Sequence, residues 1–147
     1  MRYTLLFSIF LFVIFIGCKK KDSGSTIDLK FKSVNSTEIH SGDLVEFTLS
    51  FKGGSITGTD TLTVEEIVPD CPGSSFSTTY PLPSYPATKN QNGEITVTYG
   101  FNASGSYQDI SPKCSANDTA VFRFSLKDAN QHLSDTVSSP TIILYYQ

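Results

Sequence analysis

Val45, Phe47, Leu49 and Phe51 alternate without a break with Glu46, Thr48, Ser50 and Lys52. A period of two puts every apolar side chain on one side of an extended chain, so this stretch is a strand with one face in a core. The same period runs through Ile95, Val97, Tyr99 and Phe101, and through Ala120, Phe122, Phe124 and Leu126. Leu29 and Phe31 repeat it over a shorter span, and Leu62 to Val68 and Thr141 to Tyr146 are shorter or more continuous apolar strands. After Cys18 no segment carries apolar residues at helical spacing for three turns, so almost no helix is expected. Turn residues separate the runs: Ser41-Gly42-Asp43, Gly53-Gly54, Asn92-Gly93, and Asp128 to Ser134. Six or seven short strands at this spacing predict an all-β, antiparallel sandwich. Val45, Phe47, Leu49, Phe51, Ile95, Val97, Phe122, Phe124, Leu126 and Ile143 are its expected core. Residues 69–94 break the spacing. Pro69, Pro72, Pro81, Pro83 and Pro86 fit loop or edge backbone rather than a central strand.

The N-terminus is of another kind. Arg2 precedes an apolar run from Leu5 to Ile16, broken only by Ser8 and followed by Gly17, Cys18 and Lys19 to Lys21. A spanning helix takes about 20 apolar residues, whereas a secretory h-region takes about 7–15. Phe15-Ile16-Gly17-Cys18 resembles the lipobox of bacterial lipoproteins. The resemblance implies that residues 1–17 are a signal peptide, that Cys18 is the lipidated (palmitate-bearing) mature N-terminus, and that the protein sits in the bacterial envelope, on the outer membrane. The alternative is an N-terminal membrane anchor in which Cys18 is incidental. Residues 18–26, with Ser23-Gly24-Ser25, read as a tether that reaches at most roughly 30 Å. Residues 27–147 form the folded domain.

From Ile27 onward 7 basic residues stand against 13 acidic ones, a balance of -6. A nucleic-acid binder carries the opposite surplus, so that class is excluded. The membrane is a partner through the lipid.

With Cys18 committed to lipid, Cys71 and Cys114 remain as a pair in an oxidising compartment. A metal site needs further ligands at close spacing, and a catalytic thiol needs a His partner. His40 and His132 fall in turns, with nothing to bring either near a Cys. A structural Cys71–Cys114 disulfide is the expectation. No cofactor is expected. Nor is an enzyme: there is no Gly-x-Ser-x-Gly elbow, and adjacent Glu65 and Glu66 point to opposite faces of a strand. Asp128, Asn130 and Asp135 are candidate calcium ligands but lack the EF-hand spacing, and ordinary turn residues explain them.

Asp118-Thr119-Ala120-Val121-Phe122-Arg123-Phe124 resembles the start of strand F of immunoglobulin domains, and Phe124 to Leu144 is similar to the last hairpin of bacterial immunoglobulin-like surface domains. Phe122 and Phe124 stand where that family has Tyr and Cys, so neither its tyrosine corner nor its inter-sheet disulfide can form. The resemblance implies an immunoglobulin-like sandwich and carries no functional residues. Asp60-Thr61-Leu62, Asp118-Thr119-Ala120 and Asp135-Thr136-Val137 resemble the O-glycosylation acceptor pattern of some Gram-negative envelope proteins, at Thr61, Thr119 and Thr136. The plainer reading is turn-to-strand grammar: Asp closes a turn and β-branched Thr opens a strand.

Phe76, Tyr80, Tyr85 and Tyr107 lie in the long 69–94 and 102–117 segments, and loops of that length usually have a function or are disordered. They are the candidate ligand surface for a glycan or an envelope protein. The alternatives are rings that only cap the core, in a structural spacer of an envelope complex, and more distantly a hydrolase.

Overall fold

The computed structural model describes residues 27–54, 56, 58–84, 91–129 and 131–146. The apolar run, Cys18, the tether and Tyr85 lie outside them. The described chain is all-β. Its ten strands are β1 (Asp28–Val34), β2 (Glu38–Ile39), β3 (Leu44–Lys52), β4 (Thr61–Ile67), β5 (Phe76–Pro81), β6 (Asn92–Gly100), β7 (Gln108–Asp109), β8 (Asp118–Lys127), β9 (Val137–Ser138) and β10 (Ile142–Leu144), with one 3-10 turn at Pro72–Ser74.

The strands form two sheets. One has the order β1-β3-β6-β7 and the other β2-β10-β8-β4-β5, with β9 also on β8. The sandwich is not purely antiparallel as expected: β10 pairs with β2, and β6 with β7, in parallel. The reason for the first is local. β1 pairs antiparallel with β3, the chain then crosses to the other sheet at Asn35–Thr37, and β2 arrives beside β10 running the same way. A register shift between Phe31 and Ser33 marks where β1 begins to bend.

The three long alternating runs are β3, β6 and β8; the apolar faces of β3 and β6, neighbours in one sheet, look toward that of β8 in the other. Phe47 of β3 joins the sheets, its ring centroid 4.6 Å from Phe122 and 5.4 Å from Phe124 of β8. Such ring pairs add about 0.5–1.5 kcal/mol each beyond the area they bury. Of the expected core, Val97 and Ile143 are only half-buried. For Ile143 the phase was one residue off: Ile142 and Leu144 are buried and Ile143 points outward. Part of the segment 69–94 takes the edge form that its prolines allow. Phe76–Pro81 is a strand, paired antiparallel with β4 from Glu66 to Thr61. β5 ends its sheet, which is where a Pro-containing strand is tolerated.

Candidate functional site

β5 and β6 lie at the same open side of the sandwich, one in each sheet. Tyr80 on β5 stands opposite Leu62 of β4, half-buried. Its hydroxyl donates to Gln108 Oε1 of β7 at 2.6 Å and accepts from the Tyr99 hydroxyl of β6 at 3.3 Å. A three-residue polar chain thus ties β5 to the other sheet where the core opens. Burial, then the bond with Tyr80, pushes the Tyr99 phenol above its ordinary pKa, so it stays neutral and able to donate.

Beside this chain runs a groove of about 350 Å³. Leu62, Leu82, Ile95 and Val97 supply its apolar wall, and Tyr80 and Tyr107 supply its rings. None of the described residues lining it is charged. Tyr107 is 44% exposed. Its position depends on Gly105, which has φ +129° and whose missing Cβ would fall 2.8 Å from the Tyr107 ring. Only glycine combines that backbone with that approach.

The sequence candidates therefore separate. Tyr80 and Tyr107 come together at the groove. Phe76 does not line it; its half-buried ring packs 5.6 Å from Tyr99 and 6.4 Å from Phe122, on the core side. Tyr85 lies outside the described residues.

The disulfide joins Cys71 to Cys114, with Cα atoms 6.1 Å apart. It ties the end of β4 to the entry of β8. Ser74 knits the same corner: its hydroxyl accepts from the Lys113 N–H at 3.0 Å and lies 3.4 Å from Asp118 Oδ2. On β4, Glu65 and Glu66 point to opposite faces, as adjacent strand residues must. Glu65 faces outward, 3.7 Å from Arg123, while Glu66 is buried with Oε1 unpartnered among the described residues. The signal was present in the sequence, since Glu66 shares the phase of the buried Leu62 and Val64. Burial pushes its carboxyl up to about 8; Asp118 and Asp109 add to the rise and Lys113 opposes it.

His40 stacks on Tyr145, and His132 bonds Asp128 at 2.9 Å, so each His has a structural place away from the disulfide. Asp128 closes its turn by accepting from the His132 N–H. No group of three or more potential metal ligands occurs among the described residues. Asn130, the middle calcium candidate, lies outside them. Of the Asp-Thr motifs, Thr119 and Thr136 are exposed, whereas Thr61 is half-buried between Pro81 and Lys127. Asp60 accepts from the Ala129 N–H at 2.6 Å, and Asp118 is buried beside Ser74, so both carboxylates reach distant segments of the chain rather than their own turns.

No family model matches the sequence, and no curated protein matches it. Among solved structures the chain is similar to the sporulation control protein Spo0M of Bacillus subtilis (13% identity, TM-score 0.42). It covers 84% of this chain and spans half the length of that protein. It is also similar to a Niemann-Pick type C2 protein from the Japanese carpenter ant, at 12% identity over 86% of this chain and 98% of that one, with a TM-score of 0.44.

Proposed function

We propose that this chain is a lipid-anchored envelope protein whose immunoglobulin-like domain binds an uncharged ligand, glycan or polypeptide, without catalysis. The anchoring part rests on the Phe15 to Cys18 motif at the end of a short apolar run. The immunoglobulin-like part is supported by strand order. β1, β3 and β6 correspond to strands A, B and E of one sheet. β10, β8, β4 and β5 correspond to G, F, C and C′ of the other. The single observation that carries the binding role is the meeting of Tyr80 and Tyr107 at one uncharged groove of about 350 Å³, a size in the usual range for ligand sites. Rings with polar edges suit sugar stacking and protein hot spots alike. The experiment is a screen of the full chain against neutral oligosaccharides and uncharged linear peptides. Saturable binding that perturbs Tyr80 and Tyr107 supports the role. A second reading, the ligand-free spacer, draws on Phe76, whose ring is given over to the core. The absence of any binder in both libraries favours it.

A further inference from the structure

We infer that the groove takes an extended polypeptide, which adds as a strand to the edge of β6 that no described strand covers; this rests on the binding role proposed above and names its ligand class. β6 runs in unbroken register against β3 from Asn92 to Gly100. At its end the Gly100 C=O accepts from the Ile110 N–H on the β7 side, whereas the Phe101 N–H donates to the Asp43 C=O on the opposite, β3 side. Successive residues of a strand turn their backbone groups to alternate sides. The N–H and C=O of Glu94 and Thr96 therefore face the same way as those of Gly100, away from β3. β7 covers this edge only at Tyr99 and Gly100. Among the described residues no strand lies against the rest, which leaves a row of backbone donors and acceptors at strand spacing.

The groove lies directly beside that row. A strand laid along it continues the edge that β7 already occupies. Its alternate side chains then point to the same side as Ile95 and Val97, into the space walled by Leu62 and Leu82. The described lining carries no charge, so the segment that fits is uncharged and apolar at every second position. Backbone pairing supplies affinity and the side-chain space supplies selectivity, as in other strand additions. A sugar chain has no backbone groups to match this row, which is why a polypeptide is preferred.

The test is selection of uncharged linear heptapeptides from a randomised library on the full, disulfide-bonded chain, with neutral oligosaccharides tested in parallel. The expected result is enrichment of sequences alternating apolar with polar residues. Thr96→Pro, which removes an N–H that the β3 ladder does not use, should weaken binding at least tenfold, while Thr96→Ala changes it less than twofold. On the unaltered protein the Thr96 and Glu94 amides should exchange at least tenfold more slowly when peptide is bound, a readout that stands even where the proline variant does not fold. Peptide binding without that protection overturns the inference, as does a library that yields no binder. An oligosaccharide that binds, is lost in Tyr107→Ala and survives Thr96→Pro overturns the strand and leaves the groove reading intact.

Discussion

The hydroxyls of Tyr80 and Tyr99 meet 3.3 Å apart across the open side of the sandwich, one from each sheet, and the Tyr80 hydroxyl passes on to Gln108 at 2.6 Å. Tyr99 is buried and Tyr80 and Gln108 are half-buried, so a hydroxyl that loses its partner there is not fully repaid by water. Tyr80→Phe keeps the ring and removes both bonds. It should cost about 1–2 kcal/mol and lower the melting temperature by about 3–6 °C, as thermal unfolding followed by circular dichroism will show.

Glu66 sets a pH dependence. Its carboxyl is raised from 4.5 to about 8 in the folded protein, chiefly by burial. The native state therefore holds a proton that the unfolded chain releases, and stability falls as pH rises between those values. The contribution is fully present below about pH 4.5 and lost by about pH 8. Glu66→Gln, neutral at every pH, should remove most of that fall. It should match the parent near pH 4 and exceed it by roughly 2–4 kcal/mol at pH 9, as urea titrations at the two pH values will measure.

Cys71 and Cys114 close a loop with a sequence separation of 43. The chain-entropy model assigns such a loop about 4 kcal/mol. Reduction, or the double substitution Cys71→Ala with Cys114→Ala, should lower unfolding stability by up to about that amount. Two free thiols by mass in protein purified from the envelope are the contrary result.

The anchor is tested at Cys18. Cys18→Ala should give an unlipidated precursor that keeps residues 1–17, seen by intact mass and by loss of the acyl chain. Normal processing and anchoring of that variant would assign the apolar run to a membrane anchor instead.

The long strands were legible because their side chains alternate over seven or eight residues, which fixes both the strand and its buried face. Phe47, Phe122 and Phe124 are such positions, and all three are buried. Short strands lack that redundancy. Ile142, Ile143 and Leu144 are all apolar, so only the pairing with β8, Ile142 opposite Ala120, decides which side faces in. At β5 the prolines left loop and edge strand equally open, and only the pairing with β4 decides for the edge strand. At the candidate site, the aromatic residues could be named in advance, but their division could not. Phe76 and Tyr80 share one phase of β5. The first meets Tyr99 and Phe122, while the second reaches the groove, because the sandwich opens between them. Glu66 was legible in phase and unexpected in chemistry, a carboxyl where the pattern calls for an apolar residue.

The central claim, that the open side of the sandwich is a binding surface, is tested most directly at Tyr107, whose ring lines the groove yet stays largely outside the core. The measurement is ligand affinity and melting temperature of Tyr107→Ala beside the parent, using whichever oligosaccharide or peptide the screen selects. The account predicts an affinity loss of about 2 kcal/mol, roughly 30-fold, with the melting temperature within about 2 °C of the parent. Unchanged affinity, or a large fall in melting temperature, would contradict it.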